Sequence, residues 1–187
     1  MDLTKFRRVH LAQLPTPLES LKALSRELGG PDIYVKRDDC TGLAGGGNKT
    51  RKLEFLVAEA MEQGADTLVT VGATQSNHVR QSIAAAAKAG LRIEVLLEER
   101  MRRDNDYAEN GNVMLDHLMG GIVHHCGPVA YLNIAGEELA DKVHAAGRKI
   151  YFFPAGGSSP VGTLGYIDCA AEILAQADDM NVEIDHI

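Results

Sequence analysis

The stretch "GLAGGGNKTRKLEFL", residues 42–56, crowds three cations into the start of a helix. Gly45, Gly46 and Gly47 lead into Asn48 and Lys49, and Arg51 and Lys52 follow. Leu53, Leu56, Val57 and Ala60 then recur at i, i+3, i+4 and i+7, the signature of a helix with one buried face. A helix N-terminus carries roughly half a positive charge, so cations there are mildly unfavourable. Three readings of the loop compete. A P-loop needs G-x-x-x-x-G-K-[ST]; Gly42 and Gly47 keep the spacing, but Asn48 intervenes before Lys49 and Thr50. One extra residue turns the lysine about a hundred degrees around the helix. A second reading is a solvated Lys-Arg-Lys cluster behind a flexible loop. The third takes the placement as chemistry. A lysine beside a helix N-terminus and two other cations is pushed towards its neutral form, and a neutral amine is the nucleophile that makes Schiff bases with carbonyls.

Around this loop, strands and helices alternate. "TPLE" (16–19) reads as a helix start, with Thr16 as cap, Pro17 at the first position and Glu19 closing a capping box; that helix stops at Gly29-Gly30. Strands are expected at 32–39, 67–72, 93–99, 121–127, 149–154 and 182–187. Helices are expected from about Asn77 to Lys88, around 106–119, ending near Ala146, and after "AGGSSPVG" (155–162) with Leu164, Ile167, Ala171 and Leu174 on one face. This alternation implies an α/β fold with parallel sheets flanked by helices. In such sheets ligands sit beyond the carboxyl ends of the strands, which singles out the loops 40–49, 72–78 and 154–162.

The second of these, "GATQSNHVRQS", follows a strand and opens a helix. Gln75, Ser76, Asn77 and His78 set four polar side chains beside free helix N–H groups, a site for a small carboxylate. The plain alternative makes Ser76 or Asn77 an N-cap only. On the catalytic reading of the first loop, the glycines let a flat cofactor approach the backbone, and Asn48 with the helix start holds an anionic oxygen. Asp38 and Asp39 are expected to orient the loop before Lys49, with Arg80 pairing with them or lying on the surface.

The composition bounds the partners. The chain has 187 residues, 45% apolar, and a net charge of −7 without a long basic run, so nucleic acid is not an expected partner. No stretch approaches the ~20 apolar residues that span a bilayer, and no secretory h-region is visible, so no membrane is expected. Cys40, Cys126 and Cys169 are odd in number and far apart, which suggests reduced thiols in a cytoplasmic protein. His124, His125 and Cys126 lack a partner pair at zinc spacing, so no metal is expected.

"VKRDDCTGLAGGGNKTRKLEFL" together with "GATQSNHVRQ" resembles the family of pyridoxal-phosphate enzymes that contains D-cysteine desulfhydrase, L-cysteate sulfo-lyase and 1-aminocyclopropane-1-carboxylate (ACC) deaminase. The likeness runs from "LPTPLE" to "PAGGSSPVGTLGY" and the end of the chain. It implies fold type II, like the tryptophan synthase β subunit: residues 1–50 begin a large domain, 51–160 form a small α/β domain, and 161–187 start the remainder of the large one. It implies pyridoxal 5'-phosphate joined to Lys49 as a Schiff base, with Asn77 at the cofactor's phenolic oxygen. Ser76, Asn77 and His78 would surround the substrate carboxylate, and Ser76 matches the serine implicated in deaminase chemistry, which makes it a candidate catalytic residue. The implied reaction is β-elimination on a small amino acid: D-cysteine to pyruvate, ammonia and sulfide, or L-cysteate with release of sulfite, or ring opening of a cyclopropane amino acid. A homodimer is implied at full length. Relatives are longer than this chain, which stops at "EIDHI". The expectation is a fragment without the phosphate-gripping loop, the partner of the pyridine nitrogen or a substrate-side tyrosine, whose own activity is open. Leu164, Ile167, Leu174 and the 182–187 strand are then expected to lie exposed.

Overall fold

Val69, Val71, Val95 and Leu97 are fully buried, which requires cover on both faces of the sheet that holds them. The structure, a computed structural model, describes residues 3–101 and 103–187. Met1 and Asp2, the head of the expected 1–50 segment, lie outside the described residues. Four strands form a parallel sheet: β3 (Thr67–Ala73) and β4 (Arg92–Glu98) at its centre, β5 (Ile122–Cys126) and β6 (Ile150–Phe152) at its edges, in the order β5-β4-β3-β6. On one face pack α2 (Thr50–Glu62), α3 (Asn77–Ala89) and α5 (Gly111–Leu118), burying Leu53, Leu56, Val57, Ile83 and Val113. On the other lies α6 (Leu132–Ala145), with Leu139, Ala140 and Val143 against Val69, Val71 and Leu96. The i, i+3, i+4, i+7 stripe after Lys49 is fully buried.

Outside the sheet, the hairpin of β1 (Leu18–Ser20) and β2 (Tyr34–Lys36) brackets α1 (Lys22–Leu28), and α7 (Pro160–Met180) runs along α2. Gly165 permits that approach, because a Cβ there would strike the Arg51 carbonyl.

The structure corrects four sequence expectations. No helix begins at Thr16. The Thr16 hydroxyl donates to Asp38 instead of capping, 2.9 Å, and Leu18–Ser20 pairs antiparallel with Tyr34–Lys36; the capping pattern lost to a strand partner fourteen residues on. The helix expected over 106–119 is two, α4 (Asn105–Glu109) and α5, because Asn110 is extended and Gly111 takes φ +60°. Residues 182–187 form no strand. Leu164 is buried on α7, while Leu174 is 68% exposed, so the apolar face of that helix is covered at its N-terminal end and open further on.

Candidate active site

The three cations of the opening stretch go to three different places. Arg51 points away from the glycine loop and is fully buried, bonded to Asp38 at 2.9 Å, to Glu172 at 2.8 Å and to the Thr16 hydroxyl at 2.9 Å. Burial opposes its charge, but the Glu172 and Asp38 carboxylates outweigh burial and raise its pKa. Lys52 donates to the Ser158 hydroxyl, 3.1 Å, and lies 5.6 Å from the Tyr166 ring centre. Burial, then the charge of Lys49, lower its pKa. Lys49 Nζ alone of the three has no hydrogen-bond or ion-pair partner among the described residues.

Lys49 occupies the cap position of α2, where its side chain caps nothing. The amide of Thr50 donates to Gln81 Oε1 of α3 at 3.0 Å, with a longer contact to Gly47 O at 3.4 Å, and the Thr50 hydroxyl also donates to Gln81 Oε1, 3.0 Å. The loop itself is tied inward. Gly46 N donates to Leu43 O at 3.0 Å and Gly47 N to the Thr41 hydroxyl at 2.9 Å. Arg80 Nη2 donates to Gly46 O at 2.6 Å. Gly46 must be glycine, since its φ is +80° and a Cβ would run into the Asp39 carbonyl. These amides are spent inside the protein and do not form a phosphate nest, which removes the P-loop reading. Asp38 serves Arg51, Asp39 pairs with Arg37 on the surface at 2.8 Å, and Arg80 meets neither acid. Neither alternative expected for Arg80, pairing with these acids or lying on the surface, is found: it is half-buried and its partners are Gly46 and Asn112.

The three expected loops do converge. Asn77 Nδ2 donates to Asn48 Oδ1 at 3.3 Å, and Asn48 Nδ2 donates to the Tyr166 hydroxyl of α7 at 2.7 Å. A Cβ at Gly156 would sit 3.7 Å from Lys49 Cε, and one at Gly157 would sit 3.6 Å from His78 Cε1. The third loop thus lies against the Lys49 side chain and the His78 ring, and Gly156 and Gly157 both take the positive φ that glycine allows, +68° and +62°.

The Gln-Ser-Asn-His run splits. Asn77 is exposed and faces the Lys49 loop. Ser76 Oγ accepts from Val79 N, 3.3 Å, as the cap of α3. Gln75 turns away, donating to the carbonyls of Tyr107 (2.6 Å) and Asn110 (2.8 Å) and accepting from Asn112 N (2.8 Å). His78 points inward, 2% exposed, with Nε2 3.0 Å from the Thr70 hydroxyl and its ring edge-on to Phe153. Burial first, then Lys49 and Lys52, hold its pKa down at about 3, so the ring is neutral. The Thr70 proton is used on Phe153 O, 2.8 Å, which leaves Nε2–H as the donor to Thr70 and Nδ1 without its proton. The structure thus joins Asn48, Lys49 and Asn77, and sends Gln75 and His78 elsewhere.

The family of pyridoxal-phosphate dependent enzymes matches residues 9–187. The chain belongs to that family. D-cysteine desulfhydrase of Klebsiella pneumoniae is 49% identical over 179 residues, 95% of this chain and 54% of the relative. The D-cysteine desulfhydrase of Salmonella typhi is 47% identical over the same shares. The chain spans about half the length of the curated relatives it matches. A solved structure of an ACC deaminase homologue matches with a TM-score of 0.83 at 42% identity, over 93% of this chain and 52% of that one. Diaminopropionate ammonia lyase of Escherichia coli, in its apo form, matches with a TM-score of 0.67 at 18% identity, over 91% and 48%; that likeness concerns the fold alone. The architecture is that of fold type II enzymes of this family.

The donor set of this pyridoxal-phosphate family member suits such a cofactor. An unpaired amine, a second cation and two carboxamides meet at the loops, and no carboxylate bonds to Lys49, Lys52, Asn48 or Asn77 among the described residues. That set fits a group with a carbonyl and anionic oxygens. Tyr166, Gln81 and Ser158 lie within the stretches singled out in the sequence, but nothing there marked them as members of the surround. Tyr166 meets Asn48 across 118 positions, so no local pattern could have found it.

Proposed function

We propose that this protein is a carbon–sulfur lyase that acts by β-elimination on a small sulfur-containing amino acid, with D-cysteine as the first candidate, yielding pyruvate, ammonia and hydrogen sulfide. The observation that carries the reading is Lys49 Nζ, an amine without a hydrogen-bond or ion-pair partner among the described residues, where three loops meet. The D-cysteine desulfhydrases at 47–49% identity support the choice of substrate.

In this reading Lys49 would hold pyridoxal 5'-phosphate covalently, and its Nζ, freed when the substrate amine takes its place, would accept the α-proton of the substrate. The cofactor supplies an electron sink for the carbanion. Asn77, with Asn48 behind it, would hold the ring oxygen of that group. Asn48 is itself fixed by Tyr166, so the carboxamides arrive oriented. The amide groups at the start of α3, set by the Ser76 cap, receive the substrate carboxylate. His78 supports this floor as a neutral ring and brings no charge to the substrate. A homodimer of the full-length protein in the cytoplasm belongs to the same proposal; three free cysteines suit a reducing compartment.

The test is the full-length protein supplied with pyridoxal phosphate. A visible absorbance that Lys49→Ala abolishes and Lys52→Ala retains is the expected result. Sulfide from D-cysteine, measured beside sulfite from L-cysteate and ring-opened product from ACC, ranks the substrates. Equal loss of absorbance in both lysine variants, with folding intact, defeats the assignment of Lys49.

A further inference from the structure

One buried acid has no part in the chemistry above. Asp116 on α5 is 0% exposed, and neither of its carboxylate oxygens has a hydrogen-bond partner among the described residues. Arg80, on the helix packed against it, has a buried Nε that is equally unpartnered. The other nitrogens of that guanidinium are engaged: Nη1 donates to Asn112 Oδ1 at 3.0 Å and Nη2 to Gly46 O at 2.6 Å. Asn112 continues the network, donating its side chain to Gln75 O at 2.9 Å. Arg80 therefore joins the α4–α5 region to the glycine loop with Nε left over, and its charge acts on Asp116, although no hydrogen bond or ion pair links the two in the structure. Leaving both groups unmade is costly; a charge-assisted bond between them removes both defects.

We propose that Asp116 is a positioning residue whose ionised carboxylate takes Arg80 Nε–H, and that this sets the hold of Arg80 on the Gly46 carbonyl and so the loop that carries Lys49. Burial pushes the Asp116 carboxyl up to about 7, with the positive charge of Arg80 opposing. Arg80 on α3 is the charged group that acts on it; α4 and β5, also packed on α5, bring none that does among the described residues. The hold on the loop then tightens as pH rises through neutrality. Its bearing on catalysis rests on Lys49 being the reactive amine, whereas the state of the loop can be read without the cofactor.

The experiment is amide hydrogen exchange at Gly46, Gly47 and Thr50 in the full chain, corrected for intrinsic rates, between about pH 5.5 and 8.5. Protection in the wild type should rise about tenfold across a midpoint near 7, the gain expected of one charge-assisted bond. Asp116→Asn, which keeps the shape but not the charge, should show no rise. A flat wild-type profile overturns the proposal and needs no variant to fold. So does an Asp116→Asn profile that keeps the rise, or one that changes only within residues 111–121. Lys49→Ala should keep the rise even though it ends turnover, so the two readings fail separately.

Discussion

Two helices of this protein begin side by side, and they begin differently. At α3 the cap is Ser76, whose hydroxyl takes the Val79 amide in the ordinary way. At α2 the cap position holds Lys49, which cannot accept a hydrogen bond, and Gln81 from the neighbouring helix takes the Thr50 amide instead. Moving the capping duty to another helix frees one position at a helix start for an amine. The unfavourable placement read from the sequence is thereby explained: the local contact of the Thr50 amide with Gly47 O is long, 3.4 Å, and the closer acceptor comes from α3.

The comparison can be broken most severely at Lys49. Lys49→Ala in the full-length protein should lower turnover by about 10³-fold or more and remove the visible absorbance, because no other described amine stands there unpaired. The next effect is on stability. Gln81→Ala strips the nearer acceptor from the Thr50 amide and the acceptor of its hydroxyl, and should cost about 2 kcal/mol in urea unfolding. Ser76→Ala should cost only about 1 kcal/mol, with a raised KM or a lowered kcat if the start of α3 receives the substrate. Equal costs for the two would show that the two helix starts are held alike.

A pH test sharpens the contrast between the exposed and buried members of the Asn77-His78 pair. The folded pKa of His78, about 3, lies below the ordinary 6.5. The unfolded chain therefore takes up the proton first as pH falls. The contribution to stability is complete above about 6.5 and is lost progressively as pH drops towards 3. His78→Leu should flatten that slope in denaturant midpoints. An unchanged slope would mean that the ring is charged in the folded protein. The smallest effect is expected at Asn77. Asn77→Ala should shift the absorbance maximum of the bound cofactor while leaving the midpoint of unfolding nearly unmoved, since the side chain is exposed.

What could be read from the sequence follows the range of the interactions. The stripe from Leu53 to Ala60 and the polar loop after β3 depend on neighbours within a turn or two, and both are where the spacing puts them. Thr16 misled because a local capping pattern cannot announce that Asp38 and β2 will compete for it. The destinations of Arg51, Asn48 and Lys52 depend on partners more than a hundred positions away, at Glu172, Tyr166 and Ser158. Residue type showed that the cluster was unusual. Only the fold shows that one cation is structural, one is half-engaged and one is free.

The Arg51 cluster also orders events during synthesis. Arg51 and Asp38 leave the ribosome long before Glu172, which with Gln176 closes their cluster against Lys36 and Thr16. A buried charge that lacks one partner is strongly destabilising, so the packing of α2 beside Lys49 stays incomplete until α7 has been made. Tyr166 and Ser158 arrive with that same helix and the loop before it. The nascent chain therefore carries Lys49 for more than a hundred residues before its surroundings close, and a chain cut before this loop and helix lacks the partners that Arg51, Asn48 and Lys52 find there.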